Sequence, residues 1–191
     1  MNMDYLSKIK DYQPTNEQEA RDKSLILTFA EHFPNILYRE NLIAHMTASA
    51  WIVNYERTKV LLNYHRIYDS WSWTGGHADG DEDLLEVAKR EAKEETGLKE
   101  VWALTDEIFS LESLCVDGHI KNGSYVPSHL HLNLTFLLEA DEKDPLYFNP
   151  KENKAVSWFT LEDALQVPRE KWMVENIYRK LNEKLYSFLQ K

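Results

Sequence analysis

Glu91, Glu94 and Glu95 are spaced i, i+3 and i+4. On a helix, at roughly 100° per residue, their carboxylates share an arc of about 100°. Lys89 and Lys93 project the other way and do not obviously neutralise that arc. Like charges at this spacing cost a helix about 0.2–0.5 kcal/mol per pair. The last turns of a helix, at the negative end of its dipole, disfavour anions further. A divalent cation relieves both faults, because carboxylate oxygens are the hard ligands that Mg²⁺ takes. A solvated acidic face is the competing reading of the spacing alone.

The flanks of that helix narrow the choice. Gly75-Gly76 ends a strand-like piece, and glycine frees the backbone to turn a carbonyl toward the helix face. Asp79-Gly80 makes a turn, and Asp79 with Glu82 has capping-box spacing. Arg90, four residues after Glu86 and four before Glu94, either grips a carboxylate through a bidentate pair or makes a surface ion pair.

Periodicity supplies the elements that must position these groups. Leu25, Ile26, Phe29 and Phe33 recur at helical spacing, and Pro34-Asn35 ends that run. Thr47–Val53 and Lys59–His65 read as strands joined by the polar turn Asn54–Thr58, with Trp71-Ser72-Trp73 leading into the glycines. A helix follows from about Glu82 to Thr96 and stops at Gly97. Further strands span Ile108–Val116 and His129–Glu139, separated by the turn-rich Asp117-Gly118 and Asn122-Gly123. A last strand near Ala155–Phe159 precedes a short helix, Leu161–Leu165. Beyond Pro168, Met173, Ile177, Leu181, Leu185 and Leu189 form an amphipathic stripe. The expected organisation is one α+β domain over 1–191: a helical segment 1–44, a core 45–165 and a C-terminal helix 166–191.

The 191 residues carry 22 Lys+Arg against 32 Asp+Glu, a formal charge of −10. Such a charge argues against a nucleic-acid polymer as partner. Composition is that of an ordinary globular chain, with 43% hydrophobic and 12% aromatic residues. One cysteine, Cys115, excludes an intrachain disulfide scaffold. Its setting, Leu114-Cys115-Val116, predicts burial. Met1–Lys10 has no basic region followed by an apolar one, and no apolar run is long enough to span a bilayer. The expected location is cytoplasmic.

From Gly76 through Glu82 to Arg90-Glu91-Ala92-Lys93-Glu94-Glu95-Thr96-Gly97-Leu98, the chain resembles the complete signature box of the Nudix hydrolases. Every fixed position of that pattern is filled; a proline common before the paired glycines is replaced by Thr74. The resemblance covers about Thr47 to Leu165. It implies an α/β/α sandwich around a mixed sheet, and hydrolysis of a diphosphate linkage in a nucleoside di- or triphosphate derivative. It also implies Mg²⁺ or Mn²⁺ held by the Gly76 carbonyl, Glu94 and Glu95, with Glu91 as a further ligand or an activator of water. Glu82 and Arg90 would then orient those carboxylates. A loop beyond the box often supplies one more carboxylate in this family; Glu152 is the candidate here, ahead of Glu139.

Outside the box, His129, His131, Asn133 and Thr135 alternate with Leu130, Leu132, Leu134 and Phe136, so one face of that strand is polar. Such a face lines a pocket or meets water. His131 and His77, the latter beside the glycines, are candidate substrate contacts. Trp51, Trp71 and Trp73 could stack on a base or fill the core. The first Tyr or Pro after the box is Tyr125 or Pro127, too distant to mark the dinucleoside-polyphosphate or ADP-ribose branches. A small nucleotide derivative is therefore the default substrate, and a homodimer stays open. Two other functions compete: an isoprenoid-type diphosphate isomerase on the same fold, and a non-catalytic nucleotide-binding regulator.

Overall fold

The computed structural model describes residues 5–121 and 123–190. Met1–Asp4 of the start read for a leader, and Asn122 of the Asn122-Gly123 turn, lie outside the described residues. Two helices, α1 (Tyr5–Asp11) and α2 (Glu17–His32), precede strands β1 (Ala44–Asn54), β2 (Lys59–His65), β3 (Ser70–Ser72) and β4 (Thr74–His77). Helix α3 (Leu84–Thr96) follows, then β5 (Trp102–Ala103), β6 (Ser110–Val116), β7 (His119–Lys121), β8 (Ser124–Val126), β9 (His129–Ala140) and β10 (Asn153–Thr160). A 3₁₀ turn at Asp163–Leu165 leads to the closing helical run: α4 (Lys171–Met173), a π-turn (Val174–Tyr178) and α5 (Arg179–Leu189).

Eight strands share one sheet in the order β10-β2-β1-β9-β5, with β3 on β2, β4 on β1 and β6 on β9; β7 and β8 form a separate hairpin. The α+β class with a mixed sheet and helices is therefore as expected. Among the described residues no helix is long and apolar enough to cross a membrane. Residue contacts divide the chain into two compact units.

The first unit holds the chain up to Ser49, Gly75–Ala88 and Asp106–Phe136. Pro14 cannot extend α1, and Asn16 restarts the helix by accepting the Glu19 N–H at 2.9 Å. The helical period read in the sequence thus belongs to α2, which ends at Phe33 before Pro34. In β6 and β9 the pairing is antiparallel, from Ser110 opposite Thr135 to Val116 opposite His129. The stretch between those strands is more than turns, since it contains the β7–β8 hairpin. Cys115 corrects an expectation: it is exposed. Its apolar neighbours Leu114 and Val116 point to the other face of β6, so they give it no cover.

The second unit holds Ala50–Thr74, Lys89–Thr105 and the chain from Leu137 onward. The β1–β2 turn is built on Asn54, whose Oδ1 accepts the Thr58 and Lys59 N–H groups at 2.9 Å each. Strand β10 pairs antiparallel with β2 over Ala155–Thr160. The tryptophans pack on other aromatic rings, which favours the core reading. Trp51, fully buried, stacks on Tyr178 at 5.5 Å; Trp73 meets Tyr178 edge-on, and Trp71 meets Tyr64 and Phe159. A stripe at strict four-residue spacing drifts by about 40° per step on an α-helix. The wider π-turn at Val174–Tyr178 slows that drift, and Ile177, Leu181 and Leu185 are all fully buried.

Candidate functional site

In the second unit, the end of α3 carries the three glutamates. Glu91 is half-buried, Glu94 exposed, and Glu95 only 7% exposed. Lys93 turns away to Glu100 at 3.0 Å, so it does not neutralise them. Gly97 ends the helix in the left-handed region at φ 72°, as expected. The segment before β10 lies against this helix end: the Tyr147 N–H donates to the Thr96 carbonyl at 2.8 Å, and Asn153 Nδ2 to Glu95 Oε1 at 3.4 Å. Asn153 is fully buried and its Oδ1 has no partner. Glu152, the loop carboxylate read from sequence, is exposed one residue before it and accepts the Asn149 amide at 3.2 Å. Glu139, the weaker choice, is already ion-paired with Arg57 at 2.8 Å. Asn153 was missed because its only sequence signal is adjacency to Glu152.

In the first unit, Gly76 is half-buried on β4. The paired glycines serve close approach more than unusual dihedrals. A Cβ on Gly75 would lie 2.5 Å from Ser49 Oγ and 2.8 Å from the Ala48 carbonyl, while its φ is outside the left-handed region. The Asp79–Glu82 capping box is not formed. Asp79 instead bonds the Arg39 guanidinium with both carboxylate oxygens, which holds its carboxyl below the usual carboxylate range. Asp83 caps α3, accepting the Glu86 N–H at 3.2 Å. Glu82 is exposed and lines a cleft of about 240 Å³ with Tyr5, Lys8 and Leu85. Arg90 is exposed on α3, in the second unit.

Most of the polar face of β9 is buried, with His131 half-buried, and Asn133 on it meets the polar face of β1. Asn133, 1% exposed, accepts from Thr47 Oγ1 at 3.0 Å and Ser49 Oγ at 2.8 Å. Its amide donates to Glu112 Oε2 and Thr135 Oγ1 at 3.1 Å each. Further along the face, His131 and His77 are brought together at 5.1 Å between ring centroids. Two more rings join them: His45, from β1, and His129, neighbour of His131 on β9. Burial pushes His77 down to about 3 and His131 down to about 2, so both rings are neutral near pH 7. His45 was missed; nothing in the sequence ties it to residues over eighty positions later.

The Nudix domain model matches residues 44–181, more than half of the chain. The chain belongs to the Nudix family. Solved structures with the same fold include an Ap4A hydrolase from C. elegans, 21% identical over 76% of this chain and 97% of that one, at a TM-score of 0.53. A Nudix-family hydrolase from Clostridium perfringens is 24% identical over 75% and 97%, at 0.53. The dihydroneopterin triphosphate pyrophosphohydrolase of E. coli is 16% identical over 75% and 93%, at 0.52. At such identities these likenesses establish the fold alone. No curated protein matches the chain. For this Nudix protein, the matched region begins at β1 and reaches into α5, so it includes most of the C-terminal helical run. The segment carrying α1 and α2 lies outside it.

Proposed function

We propose that this Nudix protein is a metal-dependent hydrolase that cleaves a diphosphate linkage in a small nucleotide derivative. The observation that carries the reading is the Glu95 carboxylate: nearly buried within the signature box, beside the unpartnered Asn153 Oδ1. A buried carboxylate needs a cation or several donors. The carboxylates of Glu91, Glu94 and Glu95 offer oxygen ligands, which suit Mg²⁺ or Mn²⁺. Glu91, Glu94 and Glu95 would hold the metal, which when bound would offset phosphate charge and lower the pKa of a water. Glu91 would serve as a further ligand or help activate the water. Glu152, next to the residue touching Glu95, is the second candidate to activate it. Asn153 fixes the Glu95 carboxylate through its amide. The lone Cys115 fits a reducing, cytoplasmic setting.

The test is turnover of nucleotide diphosphate compounds with Mg²⁺ or Mn²⁺, read as phosphate released after a coupled phosphatase. Glu94→Gln and Glu95→Gln are expected to lower turnover by at least about 100-fold with the fold intact. Unchanged turnover in both would sink the carboxylate metal site. Cys115→Ser is expected to retain full activity; its loss would turn attention to the isomerase chemistry.

A further inference from the structure

We propose that His45, His77 and His131 form a binding site for a divalent transition metal of the Zn²⁺ class. None of its ligands is a box glutamate. All three rings lie in the first unit, on β1, β4 and β9, and one ring nitrogen from each falls within 4.8 Å of the others. Nitrogens sharing a tetrahedral ion at about 2.0–2.1 Å sit about 3.3 Å apart, so the rings would draw together by up to about 1.5 Å to bind one.

Hydrogen bonds around the cluster decide which nitrogens carry lone pairs. His45 Nδ1 is 3.0 Å from the Asn41 carbonyl, which can only accept, so Nδ1 donates and Nε2 is the lone pair. That Nε2 is buried without a partner, in a residue 4% exposed. His129 Nδ1 likewise donates to the Pro127 carbonyl at 2.8 Å, which makes its Nε2 an acceptor. His131 Nε2, 3.2 Å from it, is then the donor, and its Nδ1 is left as the lone pair. Backbone carbonyls and a neighbouring ring thus set two tautomers, as the outer partners of metal-bound histidines do. An unpaired buried acceptor otherwise costs about 1–3 kcal/mol. Imidazole nitrogens suit Zn²⁺, Co²⁺ or Ni²⁺ and not Mg²⁺, and three of them leave one position open for water or an anion.

Metal-free full-length protein, kept in excess Mg²⁺ to occupy oxygen sites, would be titrated with Co²⁺. The expected result is one Co²⁺ per chain, with the strong visible absorption of tetrahedral coordination, displaced by Zn²⁺. His77→Asn and His131→Asn are each expected to weaken binding by at least about tenfold, while Glu95→Gln keeps the bands. Absence of stoichiometric binding in the wild type overturns the proposal, as does binding that survives both histidine variants or vanishes in Glu95→Gln. Should the variants misfold, X-ray absorption of the Zn²⁺-loaded wild type decides. Three imidazoles in the first shell support the site; a shell dominated by oxygen overturns it.

Discussion

Asn133 is the residue on which the buried polar face turns. Its amide oxygen takes two hydroxyls and its amide nitrogen gives to Glu112 and Thr135, so its side chain is fully engaged. Asn133→Ala strips partners from four groups that stay buried. Glu112 and Thr135 keep the bond between them at 2.9 Å, so the cost falls mainly on the Thr47 and Ser49 hydroxyls, at about 1–3 kcal/mol each where rotation does not relieve it, and a loss of about 2–4 kcal/mol in unfolding free energy is expected. Urea unfolding checks this; a loss below about 1 kcal/mol would mean that water fills the vacated place. The sequence revealed that Asn133 and His131 share a face. It could not reveal what covers that face, because Thr47, Ser49 and His45 come from a strand eighty or more residues away.

At the level of elements, local signals were read well wherever one residue type enforces a geometry. Gly97 is an example: its φ of 72° is left-handed, and a Cβ there would lie 2.9 Å from Tyr147. Gly97→Ala therefore combines dihedral strain of about 1 kcal/mol with a clash. A drop in melting temperature is expected, with added mobility in the Tyr147–Asn153 segment seen by hydrogen exchange. An unshifted melting temperature would show that the segment simply moves aside. Where two local rules competed, the reading failed. Asp79 had the spacing to cap α3, but an ion pair with Arg39, forty residues earlier, claims it, and Asp83 caps instead. The π-turn and the β7–β8 hairpin left no period to read because each is only a few residues long.

For the molecule as a whole, charge sets how stability responds to acid. Asp69 and Asp79 are both held below their ordinary value of 3.8, by hydrogen bonds from Lys154 and Arg39 respectively. A carboxylate depressed on folding stabilises the native state above its unfolded pKa, and that contribution is lost as pH falls through the folded pKa. The stability gap between wild type and Asp79→Asn should thus be constant near neutrality and shrink below about pH 4. Thermal melts from pH 7 downward measure it; a gap that widens in acid would contradict the ion pair. The chain's −10 also has a local address, since Gly76–Leu98 holds eight acidic and three basic residues, half of the net charge. A metal bound there would invite the phosphates that the bare charge repels.

Cys115 is the only cysteine in the sequence, and it stands exposed on β6 opposite Leu130, the residue between His129 and His131. A thiol-reactive nitroxide would therefore attach at one known point without any engineered mutation. A paramagnetic ion in the histidine cluster would quench such a label strongly through space. The native chain thus carries its own ruler for locating a bound ion.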